Sequence, residues 1–197
     1  MNREQEFFDT IATQWDETRA PDVRKIGQLV ELIGLTPGAR VLDAGSGTGV
    51  LLPFLKQVIG PAGTITAVDF SSKMLAIAKE KYGRLGGIEF AVADIMHYSA
   101  GQAFDAVICF NFFPHIKDKP LFLAKMRTML RLGGKLVIMH DISREQVNAV
   151  HQGSTVVKDD RLAPAEALKE LFIATSYEIE ESIDLEDRYF IKGRNSK

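Results

Sequence analysis

The nine residues Val41-Leu42-Asp43-Ala44-Gly45-Ser46-Gly47-Thr48-Gly49 constrain this chain more than any other stretch. They read as a short apolar strand, Arg40 to Leu42, opening into a loop with glycine at every second position and then into an aliphatic-rich helix, Val50 to Ile59. That order brings backbone close to a ligand, because glycine has no Cβ and tolerates positive φ. Spacing narrows the choice of ligand. A dinucleotide fingerprint runs G-x-G-x-x-G, and here Val50 occupies its third glycine position while the last glycine comes one residue early at Gly49. A phosphate-gripping loop would end in Lys-Ser/Thr, and no lysine follows. The competing explanation is a tight turn without a ligand, but three alternating glycines cost stability that a bare turn does not require.

At 197 residues, 46% hydrophobic and 25% charged, the chain is expected to be a single domain able to close a substantial core. A net charge of −2 without a Lys/Arg run argues against a nucleic-acid partner. The one cysteine, Cys109, excludes an internal disulfide and falls in an apolar run that reads as core. The start, Met1 to Glu6, is too acidic for a signal peptide, and no apolar run approaches the roughly 20 residues of a membrane span. A soluble cytoplasmic protein with no membrane association is the expectation.

Before the first strand, Phe7, Phe8, Ile11, Ala12 and Trp15 recur at helical spacing, and a second amphipathic helix follows Pro21 and stops at Gly34. This pair either caps a ligand cleft, with Trp15, Asp16 or Thr18 reaching in, or packs on the sheet. After the glycine loop, Thr64 to Val68 is a β-branched strand ending on Asp69, 26 residues beyond Asp43. A carboxylate there can accept hydrogen bonds from both ribose hydroxyls of an adenosine, or cap the helix that follows. Ile88 to Val92 is a third strand, ending in Asp94 and Ile95. Phe104 to Phe110 is a fourth, a near-continuous apolar run as a strand buried on both faces should be. Its carboxyl-end loop, Asn111 to His115, falls at a topological switch point, so Phe110, Asn111 and His115 are candidates to touch cofactor or substrate, with a structural role for His115 equally open. A helix from Pro120 is expected to stop at Gly133-Gly134, and Lys135 to Met139 is a fifth strand delivering His140 and Asp141.

The stretches FFDTIATQWD, VLDAGSGTG, VDF, ADI, FDAVICFNFFPHI and LRLGGKLVI, in that order, resemble the class I S-adenosylmethionine (SAM) dependent methyltransferases of small molecules; FFDTIATQWD is similar to the ubiquinone/menaquinone methyltransferase group. The resemblance implies an α/β, Rossmann-like fold with a seven-stranded, mostly parallel, doubly wound sheet, an antiparallel last strand and helices on both faces. It implies S-adenosyl-L-methionine as cofactor, held by Asp43, Ala44, Gly45, Ser46, Gly47 and Gly49 of the loop. Asp69 would bind the ribose and Asp94 the adenine amino group, with Phe70, Met74 and Ile95 packing the ring and Phe110 and Asn111 completing the site. The whole chain, 1–197, would be one methyltransferase domain, with a helical cap over 1–36, the cofactor core over 37–141 and a substrate side over 142–197.

The stretch His140 to His151 departs from the general family pattern. Ser143 and Gln146 form a capping box, and Glu145, Asn148 and His151 recur every three residues, while Arg144 and Asn148 are spaced as an i, i+4 pair. Three interpretations stay open: a general base drawn from His140, Asp141 or His151; a metal site from those residues and His115, against which the lack of a standard zinc spacing weighs; or a structural polar network. Gln152 to Leu162 reads as a mobile polar lid, Tyr177 to Ile179 and Tyr189 to Ile191 as closing strands, and Gly193 to Lys197 as a frayed tail. The expected activity is methyl transfer to a small-molecule nucleophile. The alternative is a SAM-binding regulatory or sensor protein without turnover; a nicotinamide oxidoreductase fails at Val50.

Overall fold

In the computed structural model, which describes residues 3–19 and 21–196, the chain divides into two compact units, one through Tyr98 and one from Ser99. The first unit begins with α1 (Arg3–Ile11), a 3-10 turn, α2 (Trp15–Arg19) and α3 (Val23–Ile33). Asp22 starts α3 by accepting from the backbone N–H groups of Arg24 and Lys25, and Ile26, Leu29, Val30 and Ile33 form its buried stripe. Three βα steps follow: β1 (Arg40–Ala44) with α4 (Leu52–Ile59), β2 (Thr64–Asp69) with α5 (Ser72–Tyr82), and β3 (Ile88–Val92). Both strand pairs are parallel, in the order β3-β2-β1, with Asp43 level with Ala67 and Asp69 level with Val92. Parallel pairing sends the carboxyl ends of all three strands, and hence the glycine loop, Asp69 and Asp94, to one edge.

The second unit holds β4 (Phe104–Phe110), α6 (Lys119–Met129), β5 (Leu130–His140), α7 (Arg144–Gln152), α8 (Ala165–Ala174), β6 (Tyr177–Leu185) and β7 (Arg188–Asn195). Its strands run β4-β5-β7-β6, with β4 and β5 parallel and β7 antiparallel to both neighbours. Seven strands in a mostly parallel sheet with flanking helices are the α/β Rossmann-like architecture anticipated from the sequence.

Three local expectations change. Helix α6 ends at Met129 rather than at Gly133-Gly134, because Leu130 is already extended and pairs with Phe104. The two glycines instead shape a bulge inside β5, where Gly133 has φ +75° and a Cβ on Gly134 would stand 2.9 Å from the Arg131 carbonyl oxygen. The expected frayed tail is strand as far as Asn195, whose buried amide donates to the carbonyls of Leu130 and Arg131 at 3.2 Å each; Lys197 lies outside the described residues. The loop after α7 is tied down rather than loose: Asn148 Nδ2 donates to the Leu162 carbonyl at 3.0 Å and its Oδ1 accepts from Leu162 N at 2.8 Å.

Candidate functional site

Gly45, Gly47 and Gly49 hold φ values of +71°, +53° and +81°, backbone that side chains resist. The loop is stitched to the end of β2, since the N–H groups of Gly45 and Ser46 both donate to the Val68 carbonyl, at 2.8 and 3.1 Å. Asp69 completes the stitch: its Oδ2 accepts from Gly47 N at 2.9 Å and its Oδ1 from Ser71 N at 2.8 Å. The N-cap of α5 is Ser71, whose hydroxyl accepts from Met74 N, so the helix-capping alternative for Asp69 gives way to a loop-fixing carboxylate. Gly47 and Gly49 are glycine for different reasons. A Cβ on Gly49 would come within 2.7 Å of Leu52 Cδ1 and 3.0 Å of Ala78 Cβ, whereas one on Gly47 would meet nothing within 4 Å. The first serves helix packing; the second leaves backbone open to approach.

Asp43 is the penultimate residue of β1 and is 1% exposed. Its Oδ2 has no hydrogen-bond partner, and burial, reinforced by the charge of Asp69, pushes its carboxyl up to about 7. Ser46 Oγ is also buried without a partner, and Ala44 is fully buried beside it. Buried polar atoms without a protein partner next to an open backbone loop fit a site that a ligand's hydrogen-bonding groups would complete.

Met74 and Ile95 are buried, and Phe70 lies at the start of the β2–α5 turn with its ring 5.7 Å from that of Phe8. Asp94 stands at the end of β3 with half its side chain exposed, its Oδ1 accepting from Met96 N at 2.8 Å and its Oδ2 3.1 Å from His97 Nδ1. The N-terminal helices reach this edge through polar contacts. Asp16 accepts from Thr48 Oγ1 at 2.6 Å and from Lys81 Nζ at 2.8 Å, Asp9 from Ser71 Oγ at 2.5 Å, and Gln5 donates to the Phe70 carbonyl at 2.8 Å. Of the three residues expected to reach a ligand, Asp16 contacts the glycine loop itself, Trp15 packs on Phe8, and Thr18 bonds its own helix.

In the second unit Phe110 is buried at the end of β4, and Asn111 takes φ +52°, unusual for a residue other than glycine. Asn111 Nδ2 donates to Asp141 Oδ1 at 2.8 Å, and Asn111 Oδ1 is buried without a partner. His140 is buried with its ring edge-on to Tyr189. The stripe expected along α7 does not converge. Glu145 is exposed and pairs with Arg144, which also bonds Asp184 Oδ2 at 3.0 Å rather than Asn148, and Asn148 holds Leu162. His151 turns instead to the backbone of Asp160, its Nδ1 3.1 Å from that carbonyl.

Asp160 was missed as a site residue, and it organises this region. Its carboxylate, 3% exposed, lies 2.7 Å from His115 Nδ1 and 2.6 Å from Lys117 Nζ. Burial works against its charge, but the hydrogen bonds and charges of His115 and Lys117 hold its carboxyl below the usual range. The rings of His115 and His151 are 5.0 Å apart. Among the described residues no three His, Cys, Asp or Glu side chains are arranged to hold a metal ion.

A family model described as a methyltransferase domain matches residues 41–134. The ubiquinone/menaquinone biosynthesis C-methyltransferase of Teredinibacter turnerae is 32% identical over 141 residues, covering 67% of this chain and 57% of the relative. Residues 41–134 thus match a methyltransferase domain, and the chain is similar to the class I SAM-dependent methyltransferases. It spans just over half the length of that curated relative. Two solved structures share the fold of this chain. A SAM-dependent methyltransferase from Aquifex aeolicus is 16% identical with a TM-score of 0.74, covering 94% of this chain and 97% of its own. The N-methyltransferase NodS of Bradyrhizobium japonicum, in complex with S-adenosyl-L-homocysteine, is 18% identical with a TM-score of 0.77 over the full length of both.

S-adenosyl-L-methionine is the cofactor that the methyltransferase-domain match implies, and the first unit fits it. Gly47 leaves backbone open, Asp43 Oδ2 and Ser46 Oγ are buried without a protein partner, and Asp69 presents a carboxylate fixed by two N–H groups.

Proposed function

We propose that this chain catalyses methyl transfer from SAM to a small-molecule nucleophile. The observation that carries the proposal is the Asp69 clamp on a loop of three left-handed glycines, which holds a ligand-facing backbone rigid. The glycine loop, Asp43 and Asp69 would hold the cofactor, with Met74 and Ile95 supplying apolar surface and Asp94 a polar edge. When bound, the cofactor supplies an activated methyl on a sulfonium. The chain's own residues then have to align the acceptor, exclude water and remove a proton where the acceptor carries one. The groups available for that proton are His115, His140, Asp141 and His151, all in the second unit.

A hydroxylated aromatic acceptor methylated at carbon is the class that the Teredinibacter relative supports, since its name describes a quinone C-methyltransferase. The test is formation of S-adenosylhomocysteine with a panel of quinols, catechols and amines, alongside calorimetry with SAM. Binding without turnover on any acceptor would favour a SAM-binding regulatory protein. No heat with SAM would remove the methyltransferase proposal altogether.

A further inference from the structure

We propose that Asp9 and Asp16 are positioning residues for the glycine loop, and that through them the segment 3–19 docks in step with cofactor binding; this rests on the loop being the SAM site. Both act inside the first unit. Asp16 Oδ1 accepts from Thr48 Oγ1 at 2.6 Å, and Thr48 stands between Gly47 and Gly49, so α2 is bonded to the loop itself. Asp9 Oδ1 accepts from Ser71 Oγ at 2.5 Å. The N–H of Ser71 in turn donates to Asp69 Oδ1, while Asp69 Oδ2 holds Gly47 N, so α1 is wired to the clamp on the loop. Gln5 adds a third tie by donating to the Phe70 carbonyl at 2.8 Å. Thr48 and Ser71 are buried, and a buried hydroxyl that loses its acceptor is left at a cost. The helices and the loop therefore hold each other.

The segment has a thin hold of its own. Neither α1 nor α2 contains a buried residue, and Ala12 in the turn between them is the one buried side chain of residues 3–19, whereas α3 buries Ile26, Leu29, Val30 and Ile33. At 9 and 5 residues the two helices fall short of the roughly 12–15 at which an isolated helix is even marginal in water. They depend on docking. What docks them is the set of polar ties together with Phe8, whose ring lies 5.3 Å from Phe7 and 5.7 Å from both Trp15 and Phe70. Lys81 also pairs with Asp16, at 2.8 Å, but the two side chains are 33% and 43% exposed, so the pair is weak and the Thr48 bond carries the coupling. The ties form when the loop and the β2–α5 turn hold the shape that the Asp69 clamp sets. A cofactor on the loop selects that same shape, so docking and binding strengthen each other by one common factor.

Hydrogen exchange of the full chain, with and without saturating S-adenosylhomocysteine, reads the coupling directly. Amides of residues 3–19 should exchange at least about tenfold more slowly with the ligand, while those of α3 change less than about twofold. In calorimetry Asp16→Ala should weaken S-adenosylhomocysteine binding about fivefold and remove most of that protection, and Asp9→Ala should weaken it about threefold. Thr48→Val should match Asp16→Ala, and the double variant should lose no more than either alone, which a merely structural role at two separate places would not give. Asp16→Asn keeps an oxygen that accepts from Thr48 and should retain most of the affinity, and Lys81→Met should stay within about twofold of wild type. Losses that add in the double variant, or unchanged affinity in both alanine variants, would overturn the proposal. Binding of S-adenosylhomocysteine with no change in exchange over 3–19 would overturn this proposal alone. No binding by the wild-type chain would remove the SAM site and this proposal with it.

Discussion

The glycine loop of the first unit and the Asp160 cluster of the second solve similar problems with different materials. The loop positions groups with backbone: three left-handed glycines, two N–H groups on Val68 and two on Asp69, all contributed within 27 residues. The cluster positions groups with side chains that meet across long separations, His115 and Asp160 being 45 residues apart and Lys117 and Asp160 43. Backbone devices fail when a side chain is added, because φ and space are both exhausted. Side-chain devices fail when a partner is removed, because a buried polar group is stranded. The two regions should therefore respond to mutation in opposite ways.

The largest effect is expected at Gly49. Valine there would have to adopt φ +81° and enter the space held by Leu52, Ala78 and Tyr82. Strain and overpacking together should cost on the order of 5 kcal/mol, measured by urea denaturation. Gly47→Ala is the informative contrast: it should cost about 1 kcal/mol of stability yet weaken SAM binding at least about tenfold, because its Cβ would stand in open space rather than in the core. Equal stability losses at both positions would erase the distinction between a packing glycine and a ligand glycine.

Next in size is Asp43. Its folded carboxyl sits at about 7 against an ordinary value of 3.8, so the folded state binds the extra proton between those values. Stability of the ligand-free protein should be fullest below about pH 4 and fall as pH rises towards 7, levelling off above it. The total loss would be up to about 4 kcal/mol if Asp43 alone set the slope. Asp43→Asn should flatten that part of the curve. A cationic ligand favours the carboxylate, so SAM binding to the wild type should tighten as pH rises through 7, which calorimetry in two buffers would register as proton release.

These contrasts bear on what could be read before the structure. The order of strands and helices, the glycine loop and the acidic strand ends were legible because each is a local pattern imposed by backbone chemistry: β-branched runs, alternating glycine, Ser143 with Gln146 as a capping box. The end of α6 was misplaced because Gly133-Gly134 has the same signature in a bulge as at a helix stop, and only pairing with Phe104 decides between them. On α7 the spacing of Glu145, Asn148 and His151 was correct as helical arithmetic, but it carries no information about which neighbour each side chain meets. Asp160 carried no local signal at all. It looked like one of two consecutive aspartates in a polar loop, and only His115 and Lys117, brought to it by β4, make it a buried carboxylate.

Asp69→Ala tests the same contrast at intermediate strength, since it removes a side chain from the backbone device. Two N–H acceptors are lost, so SAM affinity should fall by about 1–3 kcal/mol in calorimetry. Unchanged affinity would mean that the loop holds its shape through the Val68 contacts alone.

The smallest effects are expected where charge is exposed, and they distinguish the cluster's core from its rim. Lys117 donates to Asp160 but is 65% exposed, so Lys117→Met should cost about 0.5 kcal/mol or less in a denaturant melt, and that loss should shrink in high salt. Asp160→Asn leaves His115 and Lys117 beside a neutral amide and should cost about 1–2 kcal/mol, with little salt dependence in the His115 part. In a double-mutant cycle the Lys117–Asp160 coupling should therefore be the smaller and the His115–Asp160 coupling the larger. The reverse order would make the lysine the anchor of the carboxylate and the histidine its passenger. The cluster would then be a surface ion pair with an imidazole attached.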